Sequence, residues 1–208
     1  MKVIAFNGSP NENGVVAKGI SVIKEELEKE QISVEVIHVG NKNIQGCIAC
    51  RKCKTPEGQG RCAIGGDLVN ECLEKLKAVG GIILGSPVYY GSIAGTFKCF
   101  LDRLFFCSPD LRYKVGATVA SLRRTGGVGT FHQLNNYLNL SQVIITPCQY
   151  WAVIHGLNPQ EVVQDEEGIS SMQTQGRNMA WLLKVLEAGK KEVPPPPPLE
   201  RKWTNFIR

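Results

Sequence analysis

The sequence predicts one α/β domain built on a doubly wound parallel sheet of five strands. Short apolar runs alternate along the chain with longer segments in which apolar residues recur at helical spacing. Strands that alternate with helices are typical of a parallel sheet covered on both faces, and right-handed crossovers restrict the topology to a doubly wound sheet. The length of 208 residues suits a single domain with a sizeable core.

Five short segments are predicted as the strands. Residues 3–6 form an apolar run that ends in a turn sequence, and residues 33–39 are rich in β-branched side chains. Residues 81–84 read as a buried third strand, again followed by glycine and proline. Residues 116–121 and 142–146 complete the predicted sheet.

Five further segments are predicted as helices, because their apolar residues lie three or four positions apart and mark one buried face. Asp67 is the predicted N-cap of the second helix. The residues that mark the helices in order are Ile20, Ile23 and Leu27; Leu68, Cys72, Leu76 and Val79; Phe97, Phe100, Leu101 and Leu104; residues 130–140; and Met179, Leu182, Leu183 and Leu186.

The composition excludes several classes of protein. With 43% hydrophobic and 21% charged residues the chain resembles an ordinary soluble globular protein. No apolar run approaches the roughly 20 residues of a membrane helix, and the N-terminus lacks a secretory signal pattern, so we expect a cytoplasmic protein with no membrane partner. The net charge of +5 is dispersed, whereas nucleic-acid binding usually needs a dense basic stripe. We therefore expect no nucleic-acid partner.

Eight cysteines in a cytoplasmic chain favour metal or redox chemistry over disulfides. Half of them lie within sixteen residues: Cys47, Cys50, Cys53 and Cys62. Four thiolates are the number that a [4Fe–4S] cluster uses, and gaps of two residues let successive sulfurs converge. Structural zinc and free or redox-active thiols remain open alternatives. The other half are predicted to be buried structural thiols: Cys72, Cys99, Cys107 and Cys148.

Three glycine- or serine-rich loops follow the first, third and fourth strands, and a doubly wound sheet binds its ligand where such loops converge. In the first loop, residues 8–16, backbone amides at a helix N-terminus and the Ser9 hydroxyl suit a dianionic phosphate. This loop matches neither G-x-G-x-x-G nor G-x-x-x-x-G-K-[ST], which argues against a dinucleotide fingerprint and a nucleotide triphosphatase.

The second and third loops suit a flat ring. In residues 85–93 an aromatic pair, Tyr89 and Tyr90, is bracketed by glycines, although two tyrosines that only seal the sheet end are an alternative. In residues 121–127 glycines permit close backbone approach, and an arginine can hydrogen-bond or stabilise a reduced, anionic flavin.

The chain resembles the flavodoxin-like NADPH-dependent FMN reductases, in particular their iron–sulfur flavoprotein branch, over essentially its whole length. The matching segments are residues 6–10, 46–50, 85–90, 100–103, 149–151, 155–156 and 176–180. The resemblance implies the strand order 2-1-3-4-5, a cysteine-rich insertion after strand 2, FMN as the cofactor, and homodimers or homotetramers. It implies FMN contacts at Ser9, Asn11, Asn13, Gly14, Val15, Val16, Pro87, Val88, Tyr89, Tyr90, Gly91, Ser121, Arg123, Arg124, Gly126 and Gly127.

Two departures from the family pattern stand out. Relatives commonly carry an arginine near Asn11 and a hydroxyl residue where this chain has Val15-Val16. The gap of eight residues before Cys62 is longer than is typical of the branch.

The predicted domain spans residues 1–190, with the cysteine-rich loop at 41–66. Residues 191–208 form a proline-rich tail, which is either a spacer that carries Trp203 and Phe206 to a neighbouring surface or a disordered end.

The predicted function is an FMN-dependent oxidoreductase. Electrons would pass from NAD(P)H or ferredoxin through FMN, and through a cluster if one is held, to a small acceptor. The alternatives are a non-enzymatic electron carrier and a thiol or metal sensor that uses the four-cysteine loop. No catalytic set of side chains is predicted, and His38 and His132 read as structural. His155, in the loop after strand five, reads as a surface or interface residue, and contact with substrate or with a partner's flavin is the alternative.

Overall fold

The computed structural model describes residues 1–200, 202–204 and 206. Its strands are β1 (Lys2–Asn7), β2 (Ser33–His38), β3 (Gly81–Tyr89), β4 (Ser92–Ile93), β5 (Val115–Leu122), β6 (Ile144–Ile145) and β7 (Val153–His155). Its helices are α1 (Val15–Lys29), α2 (Val69–Lys77), α3 (Gly95–Cys107), α4 (Gly127–Leu140) and α5 (Glu166–Gly189), with short 3-10 turns at Lys52–Lys54 and Glu161–Gln164.

The five predicted strands form a parallel sheet in the predicted order, which in the structure reads β2-β1-β3-β5-β6. The predicted count of five was wrong, because two short strands raise it to seven. Strand β4 pairs antiparallel with the end of β3, and β7 pairs in parallel with the end of β5. The α/β class and the doubly wound arrangement are confirmed.

The third strand is longer than its apolar run. Beyond Leu84 it continues to Tyr89, because Val88 and Tyr89 pair with β4 across a tight turn. Tyr90 and Gly91 form that turn with φ values of 51° and 73°. Two left-handed residues between antiparallel strands are the requirement of a type I′ hairpin. The predicted loop over residues 85–93 is therefore mostly a β-hairpin.

The predicted fifth strand, residues 142–146, forms only as the two-residue strand β6, and a separate strand, β7, follows it. Strand β6 pairs with the beginning of β5 at Val115, and β7 pairs with its end at Leu122. The chain between β6 and β7 leaves the sheet and carries Tyr150 and Trp151. The placement of His155 in a loop was consequently wrong, because it ends β7.

Two apolar layers cover the sheet. One is formed by α1 and α5, where Ile23 and Met179 are fully buried. The other is formed by α2, α3 and α4, where the rings of Phe6 and Phe100 lie 5.1 Å apart. Each such side chain contributes about 1.5–3 kcal/mol by leaving water. The two layers hold the carboxyl ends of β1, β3 and β5 side by side.

The second helix begins later than predicted. Its N-cap is Leu68 rather than Asp67, and the Asp67 carboxylate instead accepts a hydrogen bond from the Val69 amide and pairs with Arg103. A carboxylate near the first turn still complements the helix dipole.

The proline-rich tail follows the end of α5 at Gly189. Residues 194–198 are exposed and adopt neither helix nor strand. Part of the predicted tail, namely Arg201, Asn205, Ile207 and Arg208, lies outside the described residues, and the domain boundary at residue 190 stays a prediction. No helix in the described part of the chain is long and apolar enough to cross a membrane.

Candidate functional site

The three predicted loops lie along one edge of the sheet, at the carboxyl ends of β1, β3 and β5. The first loop is tied to β3 by a hydrogen bond of 2.8 Å from the Gly8 amide to the Gly85 carbonyl. The third loop touches the hairpin, because a Cβ atom on Gly126 would lie 2.9 Å from Val88 and 3.3 Å from Gly91. The structure therefore brings the three predicted loops together.

The first loop is stiffened by its own side chains. The Asn7 amide group donates to the Glu12 carbonyl at 2.9 Å, and the Asn7 side-chain oxygen accepts from the Ser9 amide at 3.0 Å. The buried Ser9 hydroxyl accepts from the Asn11 amide at 3.1 Å. These hydrogen bonds preorganise the first part of the loop.

Helix α1 begins at the end of this loop without a side-chain cap at Gly14. Helix N-termini carry unpaired backbone N–H groups and a partial positive charge, which favour a phosphate. The Val16 side chain is buried, so this residue offers only its backbone, whereas Asn11 and Asn13 are exposed. The loop fits a phosphate through amides, with Ser9 and the two asparagines as its polar side chains.

The hairpin presents both tyrosines outward. Tyr89 is 48% exposed and Tyr90 is fully exposed at the turn, while Pro87 and Val88 are half-buried. The tyrosines therefore do not pack over the sheet end in the isolated chain, which removes the alternative that they only seal it.

The third loop joins β5 to α4. Ser121 is buried in β5, and Arg123 and Arg124 are exposed. Gly126 has a φ of 92° and is the N-cap of α4, which begins at Gly127 without a side-chain cap. The left-handed backbone at Gly126 suits glycine, and a side chain there would also collide with the hairpin.

A cavity of about 380 Å³ opens beside the third loop. Arg124, Gly126 and Gly127 are the predicted flavin contacts that line it. The remaining walls come from residues that the sequence did not single out as contacts: Leu122, Thr125, Val128, Gly129, Tyr150, Trp151, Val153, His155, Asp165, Glu167, Gly168 and Ser171. The first loop and the hairpin do not line this cavity, so this edge of the sheet has a loop suited to a phosphate and a separate open pocket.

A histidine–carboxylate pair and an aromatic pair line the cavity. His155 Nδ1 lies 3.2 Å from Asp165 Oδ2, whose carboxylate also accepts from the His155 amide at 2.6 Å and caps α5 at Gly168. The rings of Tyr150 and Trp151 lie 4.5 Å apart and are about half exposed. The pocket can therefore stack a flat ring and hold a proton on an imidazole that is fixed by a carboxylate.

The four clustered cysteines line a second, narrow cavity. Cys47 and Cys50 are exposed at its rim, Cys53 is buried in the 3-10 turn, and Cys62 is half-buried. A fifth cysteine, Cys107 of α3, lines the same cavity. Cys107 is buried, as predicted, but it does not lie apart from the clustered cysteines, because it lines the same cavity as Cys53 and Cys62. Cys72 is buried as well, whereas Cys99 and Cys148 are only half-buried, so their predicted burial was wrong.

Arg103 closes the inner wall of the cysteine cavity. Its guanidinium, with no exposed surface, donates to the Cys62 sulfur at 3.3 Å, to the Gln45 carbonyl at 3.1 Å and to the Ile64 carbonyl at 2.8 Å. It also pairs with Asp67. Burial alone lowers the pKa of Arg103, but hydrogen bonds to Asp67 and Cys62 outweigh burial and raise it.

Burial raises the pKa of two thiols. The Cys72 thiol, in the core under α2, has a pKa of about 12, and burial together with Cys53 raises the pKa of Cys107 as well. The sulfur-rich cavity supplies the donor type that an iron–sulfur cluster or zinc requires. Within the described ranges, however, no three His, Cys, Asp or Glu side chains are close enough together to hold a metal ion. The donor chemistry fits, and binding a metal would need the rim cysteines to move inward.

Comparison with known proteins gives consistent matches. Residues 1–158 match the family described as NADPH-dependent FMN reductase. An iron–sulfur flavoprotein of Methanocaldococcus jannaschii is 31% identical over 196 residues, which cover 90% of this chain and 100% of that protein. An iron–sulfur flavoprotein of Methanosarcina thermophila is 24% identical over 195 residues, which cover 91% of this chain and 99% of that protein.

Two solved structures are similar in fold. RosB, solved with a bound intermediate, 8-demethyl-8-formylriboflavin-5'-phosphate, superposes with a TM-score of 0.71 at 16% identity, covering 100% of this chain and 94% of that one. A flavodoxin from the domain Archaea gives a TM-score of 0.58 at 16% identity, covering 88% of this chain and 99% of that one. The fold is therefore flavodoxin-like, as the sequence predicted.

Proposed function

The chain belongs to the NADPH-dependent FMN reductase family, in its iron–sulfur flavoprotein branch, and from this premise we propose that it is an FMN-dependent oxidoreductase. NAD(P)H or ferredoxin is the proposed electron donor and a small molecule the proposed acceptor. The cytoplasm is the proposed location and a homodimer or homotetramer the proposed assembly.

One observation carries the proposal: a preorganised phosphate loop and a glycine-rich loop with an open pocket lie at the same edge of the sheet. The amides at the start of α1 would hold the phosphate of FMN, with Ser9 beside them. The hairpin and the third loop would flank its ring, because they contact each other at Gly91 and Gly126. FMN, when bound, supplies both one-electron and two-electron chemistry.

The cavity beside the third loop is the proposed place for the second substrate. Tyr150 and Trp151 offer ring surfaces on which a flat molecule can stack. His155, oriented by Asp165, can donate or accept a proton at its Nε2 atom. Arg124 brings a positive charge to the same wall, which favours an anionic substrate or product.

Anaerobic reduction tests the proposal. The purified protein should bind an equimolar amount of FMN, and stopped-flow absorbance should show bleaching of the flavin by NADPH or NADH. A Trp151→Ala variant should slow the reaction with the second substrate while retaining FMN, and Trp181→Phe, an exposed position on α5, is the matched control. Retained FMN that is reduced but passes its electrons to no small-molecule acceptor would instead support the electron carrier.

The five-cysteine cavity supports a second proposal, a cluster at Cys47, Cys50, Cys53 and Cys62. Arg103 faces it and would partly offset the negative charge of ligating thiolates. Anaerobic reconstitution followed by iron and sulfide analysis is the test, and about four irons per chain are expected for a [4Fe–4S] cluster. Zinc without iron, or four titratable thiols without metal, would assign the loop to one of the other two alternatives.

A further inference from the structure

The phosphate loop poses a charge problem. FMN carries a phosphate of about −2 charge near neutral pH. Residues 8–16 contain no lysine or arginine, and their single charged side chain is Glu12, which is negative. The dipole of α1 supplies only about half a positive charge at its N-terminus. A cation from elsewhere in the chain would therefore strengthen the binding of a dianion in this loop.

His38, at the end of β2, lies against this loop. Its Nε2 atom is 2.7 Å from the Ser9 carbonyl oxygen, and its side chain is 8% exposed. A carbonyl only accepts, so Nε2 carries the proton and donates. Nδ1 is buried without a hydrogen-bond partner among the described residues, and it lies 3.7 Å from the Glu12 carboxylate. The imidazole is thus built into the loop with one nitrogen still unused.

The neighbouring backbone fixes the position of His38 against the loop. Asn7 and His38 are paired in the register of β1 and β2, and the Val39 and Gly40 amides both donate to the Asn7 carbonyl. A Cβ atom on Gly40 would overlap the Ser9 carbonyl group. Because Gly40 has no side chain, the end of β2 can press against the phosphate loop.

We propose that His38 is the cationic positioning residue of the phosphate site, and this inference rests on the FMN binding proposed above. Its Nε2–H donates to the Ser9 carbonyl oxygen and holds that carbonyl toward β2. The partial negative charge of the carbonyl oxygen is thereby paired with a donor. When Nδ1 takes up a proton, the imidazolium balances the phosphate dianion beside it. Among the described residues, Glu12 is the charged group that lies against His38, with its carboxylate 3.7 Å from Nδ1.

The test compares two ligands that differ only in the phosphate. Protein stripped of flavin is titrated with FMN and with riboflavin, by flavin fluorescence, at about pH 6.5 and about pH 8.0, a range in which histidine changes charge. For the native chain we expect FMN to bind about fivefold more tightly at the lower pH, the effect of about 1 kcal/mol of charge interaction. Riboflavin should bind equally at both.

Variants separate orientation from charge. His38→Gln retains a donor for the Ser9 carbonyl but not the charge, so it should lose the pH effect on FMN. His38→Leu removes the donor and the charge, and it should also weaken the binding of FMN about tenfold at either pH, which corresponds to about 1.4 kcal/mol. Lys18→Met, on the first turns of α1, is the control for a different cation and should behave as the native chain.

Four outcomes overturn the inference. They are a pH effect that His38→Gln retains, a pH effect that Lys18→Met abolishes, an equal change in riboflavin affinity, and native FMN affinity that does not depend on pH. If FMN does not bind at all, the proposed function fails with it. If FMN binds and is reduced but His38→Gln matches the native chain, only the role of His38 fails.

Discussion

At the scale of single residues, the buried guanidinium of Arg103 joins both ends of the cysteine loop. It donates to the carbonyls of Gln45 and Ile64, which lie near the two ends of the loop, and to the Cys62 sulfur between them. Asp67 neutralises this charge, and its carboxylate is nearly as buried. A buried ion pair contributes little net free energy compared with apolar packing, but removing one partner leaves an uncompensated charge.

We expect Asp67→Asn to destabilise the protein because it leaves Arg103 charged and unpaired in the interior. Loss of one partner of a buried pair typically costs about 3–5 kcal/mol in the free energy of unfolding. Urea denaturation measures the change, and Asp110→Asn, which breaks an exposed pair with Arg112, is the matched control. Equal stability of the two variants would contradict the assigned role of the pair.

At the scale of elements, the long strands follow from the sequence and the short ones do not. Buried runs such as that before Gly85 have an apolar signal that local sequence carries. The hairpin was missed because Tyr90 takes a left-handed φ of 51°, which side chains rarely adopt and which no local pattern predicts. Strand β7 has three residues and forms only because β5 extends beyond β6 and leaves an unpaired edge.

The packing of α1 against α5 depends on a tight crossing at one glycine. A Cβ atom on Gly176 would lie 3.0 Å from the Ile23 carbonyl. Beside this crossing, the buried Glu26 carboxylate accepts from Lys29 at 2.6 Å and from Arg177 at 2.9 Å. Hydrogen bonds from Lys29 and then Arg177 lower the pKa of Glu26. The ionised Glu26 carboxylate thus stabilises the junction of α1 and α5.

Glu26→Gln should therefore destabilise the protein in a pH-dependent way. A lowered folded-state pKa means that the stabilisation is present above the ordinary glutamate pKa and is lost as the pH falls through the folded-state value. At pH 7 we expect a loss of about 1.5–3 kcal/mol in the free energy of unfolding, the range for hydrogen bonds to charged groups. The difference from the native chain should shrink as the pH falls through the folded-state pKa of Glu26, which lies below the ordinary glutamate value. Glu187→Gln, which breaks an exposed pair with Lys190, should show a much smaller pH-dependent difference, because solvent screens that pair.

At the scale of the whole molecule, α3 supports both candidate sites. The Phe97 ring lies against Gly8 of the phosphate loop, and Arg103 lies against the cysteine loop. Six residues separate them, or about 9 Å along the helix axis. The two cavities share no lining residue among those described. One helix therefore supports both candidate sites, and the two cavities are separate enough to be altered one at a time.

The sequence predicted the loops at the sheet edge, because strand order alone places them there. It could not predict the open pocket as a whole, since Trp151, Asp165 and Ser171 reach it only after the chain returns from β6 through α5. His155 and the Tyr150-Trp151 pair lie in sequence segments that match the family. Only tertiary packing brings them together in the lining of one cavity. Cys107 likewise joins the other thiols only because α3 ends beside them.

The separation of the two cavities leads to a prediction about Cys50. This thiol is exposed at the rim, so Cys50→Ser should leave the unfolding temperature and the FMN content unchanged. If the cysteine loop holds a cluster, iron after anaerobic reconstitution should fall below about one quarter of the native amount, because a four-thiolate site loses a ligand. Cys72→Ala, in the core, is the converse control, with native iron content and a lower unfolding temperature. Unchanged iron in Cys50→Ser would remove this residue from the ligand set, and loss of FMN would show that the two sites are coupled.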